Sequence, residues 1–142
     1  MPSAKSILLV EDNPDDELLA VRAMKKNNLD TGLIVARNGE EALELLLGSA
    51  QPLPQLVLLD LNLPKVNGLE VLERLRASER TKALPVVVLT SSREDHDIIR
   101  SYALGANAYV RKPIELAQFV EAVRTLSTFW LEMNEVPPAV RA

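Results

Sequence analysis

The chain has 142 residues, 47% of them hydrophobic, and a formal net charge of −4. That length and composition suit one globular domain with a substantial core, while the acidic balance disfavours direct DNA binding, whose affinity comes from many Lys and Arg side chains displacing counterions. Cysteine is absent and histidine occurs once, at His96, which excludes disulfides, thiolate catalysis, sulfur-ligated zinc and any multi-histidine metal site.

Met1 to Lys5 lacks the apolar region and small-residue cleavage site of a secretory signal, so a cytoplasmic location is expected. Ser6 to Val10 is a short continuous apolar run suited to a strand covered on both faces, and it ends abruptly at Glu11-Asp12-Asn13-Pro14. Asn13 can cap a helix whose first residue is Pro14, and Leu18, Leu19, Val21 and Met24 carry its pattern toward Asn27-Asn28. Leu33 to Ala36 predicts a second strand, Asn38-Gly39 a turn, and Glu40 to Leu47 a helix closed by Gly48. After the breaker Gln51-Pro52-Leu53-Pro54, Leu56 to Leu59 predicts a third buried strand that ends in Asp60. Leu61 to Asn67 reads as a loop, and Gly68 opens a helix whose apolar face is Leu69, Val71, Leu72 and Leu75.

Pro85 to Leu89 is the most strand-like run in the chain, because branched side chains fit a pleated surface, and it ends at Thr90-Ser91-Ser92. None of these runs approaches the roughly 20 residues a membrane span needs. Asp95 to Leu104 predicts a helix stopped by Gly105, Ala108 to Val110 a short strand ending at Arg111-Lys112-Pro113, and Leu116 to about Met133 a final helix. Residues 1–135 are therefore expected to form one domain, with 136–142 a short tail and no output domain behind it. Strands alternating with helices imply a doubly wound α/β fold with a parallel sheet, in which ligands bind beyond the carboxyl ends of the strands.

Those ends carry Glu11 and Asp12, Asp60, Thr90 and Lys112. Carboxylates brought together repel one another unless a cation neutralises them, so a divalent metal is implied. Hard oxygen donors and few protein ligands favour Mg²⁺, with Mn²⁺ as its substitute. A carboxylate can also accept a phosphoryl group, a transfer that needs positioning and charge neutralisation more than covalent chemistry. On that reading Asp60 attacks phosphorus, Glu11, Asp12, Asp60 and the backbone carbonyl of Asn62 hold the metal, and Thr90 and Lys112 meet the phosphoryl oxygens. Each residue taken alone has an ordinary structural explanation. Asp15 and Asp16 suit the positive end of a helix dipole and receive no ligand role, and His96 is read as solvated.

Glu11-Asp12, Asp60 followed by Pro64 and Gly68, Thr90-Ser91 and Lys112-Pro113, in this order, resemble the receiver domains of two-component response regulators over nearly the whole chain. The resemblance implies a flavodoxin-like (βα)5 fold with strand order 2-1-3-4-5 and a histidine kinase as phosphodonor. It implies a phosphoacceptor with self-catalysed phosphorylation and dephosphorylation, rather than an enzyme acting on a separate substrate. It also makes Thr90 the switch hydroxyl and Tyr109 the aromatic that turns inward with it, and suggests a cis Lys112-Pro113 bond. A haloacid dehalogenase-like phosphatase would place a second aspartate two residues after its nucleophile, where this chain has Asn62. A docking module that works without phosphorylation is the other rival.

The last helix carries more apolar residues near its end than one core-facing stripe uses. Phe129, Trp130 and Leu131 are therefore candidate anchors for a homodimer, since large aromatics dominate interface energetics. Phe129-Trp130-Leu131-Glu132 and Asn13-Pro14-Asp15-Asp16 also resemble the small response regulators paired with bacterial phytochrome kinases.

Overall fold

The structure is a computed structural model that describes residues 6–48, 52–113 and 115–137. Five short strands form one parallel sheet in the order β2-β1-β3-β4-β5: β1 Ile7–Val10, β2 Leu33–Ala36, β3 Leu56–Leu59, β4 Val86–Thr90 and β5 Ala108–Arg111. The helices are α1 Pro14–Lys26, α2 Gly39–Leu43, α3 Gly68–Ala77, α4 Asp95–Ala103 and α5 Leu116–Ser127. The expected flavodoxin-like order is the one observed. Every residue of the central strands β1, β3 and β4 is buried, which is why they read as unbroken apolar runs, whereas β2 and β5 lie at the edges and are half-covered.

Side chains alternate across the sheet with a period of two and so build two cores. Leu8, Val10, Val57, Leu59 and Val86 pack with Leu43, Leu46, Val71, Leu72 and Leu75 from α2, its extension and α3. Ile7, Leu9, Leu56, Leu58, Val87 and Leu89 pack with Ala20, Ala23 and Met24 of α1 and Phe119 and Val123 of α5. The helices begin where the sequence offers caps. Asn13 Oδ1 accepts from the N–H groups of Asp15 and Asp16, Asn38 Oδ1 from Glu41 and Asn67 Oδ1 from Glu70.

Two helices end differently from expectation. The segment expected as one helix from Glu40 to Leu47 starts at Gly39 and widens into a π-type turn over Glu44–Gly48, and α5 does the same over Thr128–Met133. Gly39 is the first helical residue rather than part of a free turn, and it must be glycine there, because a Cβ would sit 1.8 Å from the carbonyl oxygen of Val66. Beyond α5, Trp130 and Leu131 fold back against the α1/α5 core, and Val136 packs against the opposite one. The end of the expected tail, 138–142, lies outside the described residues, as does Gln51 of the expected breaker. The Lys112-Pro113 bond is trans, which corrects the suggested cis bond. Trans is the intrinsically favoured isomer, and with it the lysine already reaches the acidic strand ends.

Register fixes what stands beside what. Val10 pairs with both Ala36 and Leu59, so β1 and β3 end level, and Thr90 pairs with Arg111, so β4 and β5 end level as well. Leu59 pairs with Val88, two residues before Thr90, so β4 runs slightly past β1 and β3 and the strand ends form one staggered rim. Among the described residues no helix is long and apolar enough to cross a membrane.

Candidate functional site

The rim gathers the residues expected there. The Asp60 N–H donates to the carbonyl of Val10 at 3.1 Å and the Glu11 N–H to that of Ala36 at 2.9 Å, which continues the ladder by one residue and sets two acids on adjacent strands. Oxygens of Glu11, Asp12 and Asp60 lie within 4.8 Å of one another. Glu11 and Asp60 are buried and Asp12 is exposed, so the cluster opens to solvent on the Asp12 side. Gly68 lies against the backbone of Asp60: a Cβ at that position would lie 2.3 Å from the Asp60 carbonyl oxygen, so only glycine lets α3 start this close to the rim.

Lys112 supplies the opposite charge. Its Nζ lies 2.6 Å from Glu11 Oε1, 3.0 Å from Asp60 Oδ2 and 3.0 Å from Asp16 Oδ2, and its side chain is only 8% exposed. The Lys112 N–H donates to the Thr90 carbonyl at 2.9 Å, which ties the lysine's backbone to the end of β4. Burial disfavours the charge of Lys112 most strongly. The hydrogen bonds to Glu11 and Asp16 and the charge of Asp60 nevertheless outweigh it and raise the ammonium pKa above its ordinary value. Glu11 moves the other way from a normal paired carboxylate. Burial is the largest influence and Asp60 adds repulsion, and these exceed what Lys112 and the Asn13 N–H return, so its pKa rises from 4.5 to about 7.

The remaining expected residues lie at varying distances from this cluster. Thr90 is fully buried, and its Oγ1 accepts from the Ser92 N–H at 3.4 Å. Tyr109 is half-buried, and its hydroxyl donates to the Ser92 carbonyl at 3.1 Å, so the tyrosine is fastened to the loop that follows Thr90. The Asn62 N–H donates to Asp60 Oδ1 at 3.4 Å. His96 is exposed, as expected, and stands between Glu94 and Asp97 at 3.2 and 3.3 Å. Phe129, Trp130 and Leu131 belong to the extension of α5 rather than to the rim. Phe129 is 45% exposed and meets Trp130 edge to face, while Trp130 and Leu131 are half-buried.

Asp16 is the residue that sequence reasoning missed. It sits on the first turn of the helix that starts beside the acids, which was the available signal, but the helix dipole already accounted for an acid there. The donor set fits a divalent cation: all three converging groups offer carboxylate oxygens, two of them buried beside one another with only Lys112 between. The same geometry presents a buried, oriented carboxylate with a cation at contact distance, which is what an attacking group on phosphorus requires.

Comparison with known proteins points the same way. The family described as response regulator receiver domain matches residues 7–124. The chain is 41% identical over 134 residues to the probable methanogenesis regulatory protein FilR2 of Methanothrix harundinacea, covering 92% of this chain and 86% of that one. It is 40% identical over 139 residues to response regulator Rcp1 of Synechocystis sp., covering 95% of each. The solved Mn²⁺-bound form of Rcp1 superposes with a TM-score of 0.83 over 94% of this chain and 99% of that one. The phosphorylated cyanobacterial phytochrome response regulator RcpA gives a TM-score of 0.86 at 37% identity, over 95% of this chain and 99% of that one.

Proposed function

This chain belongs to the response regulator receiver family, whose members are phosphorylation-activated parts of two-component signalling, and from that premise we propose that Asp60 is its phosphoacceptor. The observation that carries the proposal is Lys112 Nζ held 3.0 Å from the buried Asp60 and 2.6 Å from Glu11 across neighbouring strand ends. Asp60 attacks the phosphorus of a phosphohistidine on the kinase; the new O–P bond forms as the N–P bond breaks, and its electron pair returns to the imidazole. Lys112 neutralises charge gathering on the phosphoryl oxygens, and the Thr90 hydroxyl donates to one of them. Hydrolysis by water restores the carboxylate and releases phosphate, which closes the proposed self-catalysed cycle.

Receiver domains bind a divalent metal, and here Mg²⁺ is the proposed ion, with Glu11, Asp12, Asp60 and the Asn62 carbonyl as its holders. When bound, it supplies positive charge that screens the three carboxylates from an incoming phosphoryl group. Thr90 and Tyr109 form the proposed switch, supported by the bonds both make to Ser92. Phosphate contacts that pull Thr90 inward change the loop that Tyr109 grips, which gives the two states different contacts.

A histidine kinase is the partner of the family, and a phytochrome kinase is the proposed one. Similarity to Rcp1 and RcpA covers 95% of the chain in each case, so it reaches past the family match at 124 and into the α5 extension. The proposed site of action is the cytoplasm, without nucleic acid or membrane contact, with output through proteins, and the proposed assembly is a homodimer through the α5 extension.

Acetyl phosphate with Mg²⁺ tests the acceptor. The wild-type chain should gain one phosphoryl group, and Asp60→Asn should gain none while its circular dichroism stays unchanged. Equal labelling of the two would overturn the assignment, and repeated turnover of phosphoesters would favour the phosphatase instead.

A further inference from the structure

Asp16 Oδ2 accepts from Lys112 Nζ at 3.0 Å, the same separation as Asp60 Oδ2, yet Asp16 is not among the three acids whose oxygens converge. The helix dipole explains why an acid stands on the first turn of α1. It does not explain why this side chain turns onto a buried ammonium while its neighbour Asp15, with the same dipole to gain from, stays exposed. A lysine head on four rotatable carbons has much rotamer freedom to lose, so holding it at one place takes several acceptors. Two of the three it has, Glu11 and Asp60, are the carboxylates that a divalent cation also claims, and Asp60 is in addition the group proposed to take the phosphoryl. Asp16 is the acceptor those demands leave free.

We propose that Asp16 is a positioning residue, which keeps the Lys112 ammonium beside Asp60 while Glu11 and Asp60 are otherwise engaged. It acts through Lys112 alone. The inference rests on the reading of Asp60 as phosphoacceptor and Lys112 as its charge partner.

The test is the initial rate of phosphorylation of the full chain by acetyl phosphate at saturating Mg²⁺, for wild type, Asp16→Ala, Asp16→Asn, Lys112→Ala and the double Asp16→Ala/Lys112→Ala. Loss of one partly exposed charge-assisted hydrogen bond should slow Asp16→Ala about fivefold. Asp16→Asn, which keeps an acceptor oxygen at the same reach, should recover most of that rate. In the Lys112→Ala background the Asp16→Ala change should be silent, because the lysine through which it acts is gone. Thermal midpoints of the Asp16 variants should stay within about 2 °C of wild type, as befits a partly exposed ion pair. An Asp16→Ala rate equal to wild type overturns the proposal, and so does a fivefold loss that persists without Lys112. Should Lys112→Ala fail to fold, the comparison of Asp16→Ala with Asp16→Asn decides alone. A wild-type chain that takes no phosphate at all is a separate outcome, which sinks the acceptor reading rather than the role of Asp16.

Discussion

Glu11 is the residue at which burial and pairing pull hardest against each other. The residue is 2% exposed and its carboxyl touches Lys112, and burial still prevails, moving its pKa from 4.5 to about 7. Between those values the folded, metal-free chain keeps a proton on Glu11 that the unfolded chain has released. The contribution of this residue to stability is therefore complete below about pH 4.5 and is lost as pH rises through 7. Urea titrations in EDTA should show Glu11→Gln equal to wild type near pH 4.5 and progressively more stable than wild type toward pH 7, whereas a difference independent of pH would contradict the assignment. Glu11, Asp12, Asp60, Thr90 and Lys112 were legible in the sequence as candidates, because each stands at or just past the end of a strand, where such sheets bind ligands. Asp16 was hidden because its simplest explanation, the helix dipole, is correct as far as it goes. The isomer of the Lys112-Pro113 bond was not legible, because the resemblance suggested cis while the intrinsic preference favours trans, the isomer observed.

Strands and helices were readable to within a residue or two wherever the pattern had a stop signal: Asn13-Pro14 before α1, Asn67-Gly68 before α3, Gly105 after α4. The widened turns after α2 and α5 leave no comparable mark, since apolar spacing reports the buried stripe and not the hydrogen-bond pattern that carries it. A second hidden feature is Arg76, part of a stretch that reads only as polar. Its guanidinium donates to the carbonyls of Gly105, Thr81 and Leu84 and to Asn107 Oδ1, all between 2.8 and 3.0 Å. Asn107 Oδ1 also accepts from the Val86 N–H at 2.7 Å, so one side chain joins the end of α3 to the starts of β4 and β5. Arg76→Ala strips three carbonyls of a donor and should cost about 2–4 kcal/mol. The urea midpoint should fall with an unchanged slope, and a shift under about 0.5 kcal/mol would show that water replaces the arginine.

At the scale of the whole molecule, the proposed chemistry belongs to the rim and the proposed homodimer contact to the α5 extension, Thr128–Met133. Trp130 and Leu131 are partly used by the chain's own core, which leaves Phe129 and Met133, 45% and 65% exposed, as the apolar surface open to a second copy. Phe129→Asp should turn a dimer into a monomer in light scattering while phosphorylation continues, because a buried charge without a partner is not tolerated at an interface core. A dimer that persists in the Phe129→Asp variant would place the contact elsewhere. Borohydride interrogates the proposed phosphorylation of Asp60 directly, since it reduces an acyl phosphate to an alcohol and so turns a phosphorylated aspartate into homoserine. After acetyl phosphate and Mg²⁺, peptide mass spectrometry should find homoserine at position 60 alone. Homoserine at 12 or 16, or a reduced glutamate at 11, with Asp60 intact would contradict the reading of this site.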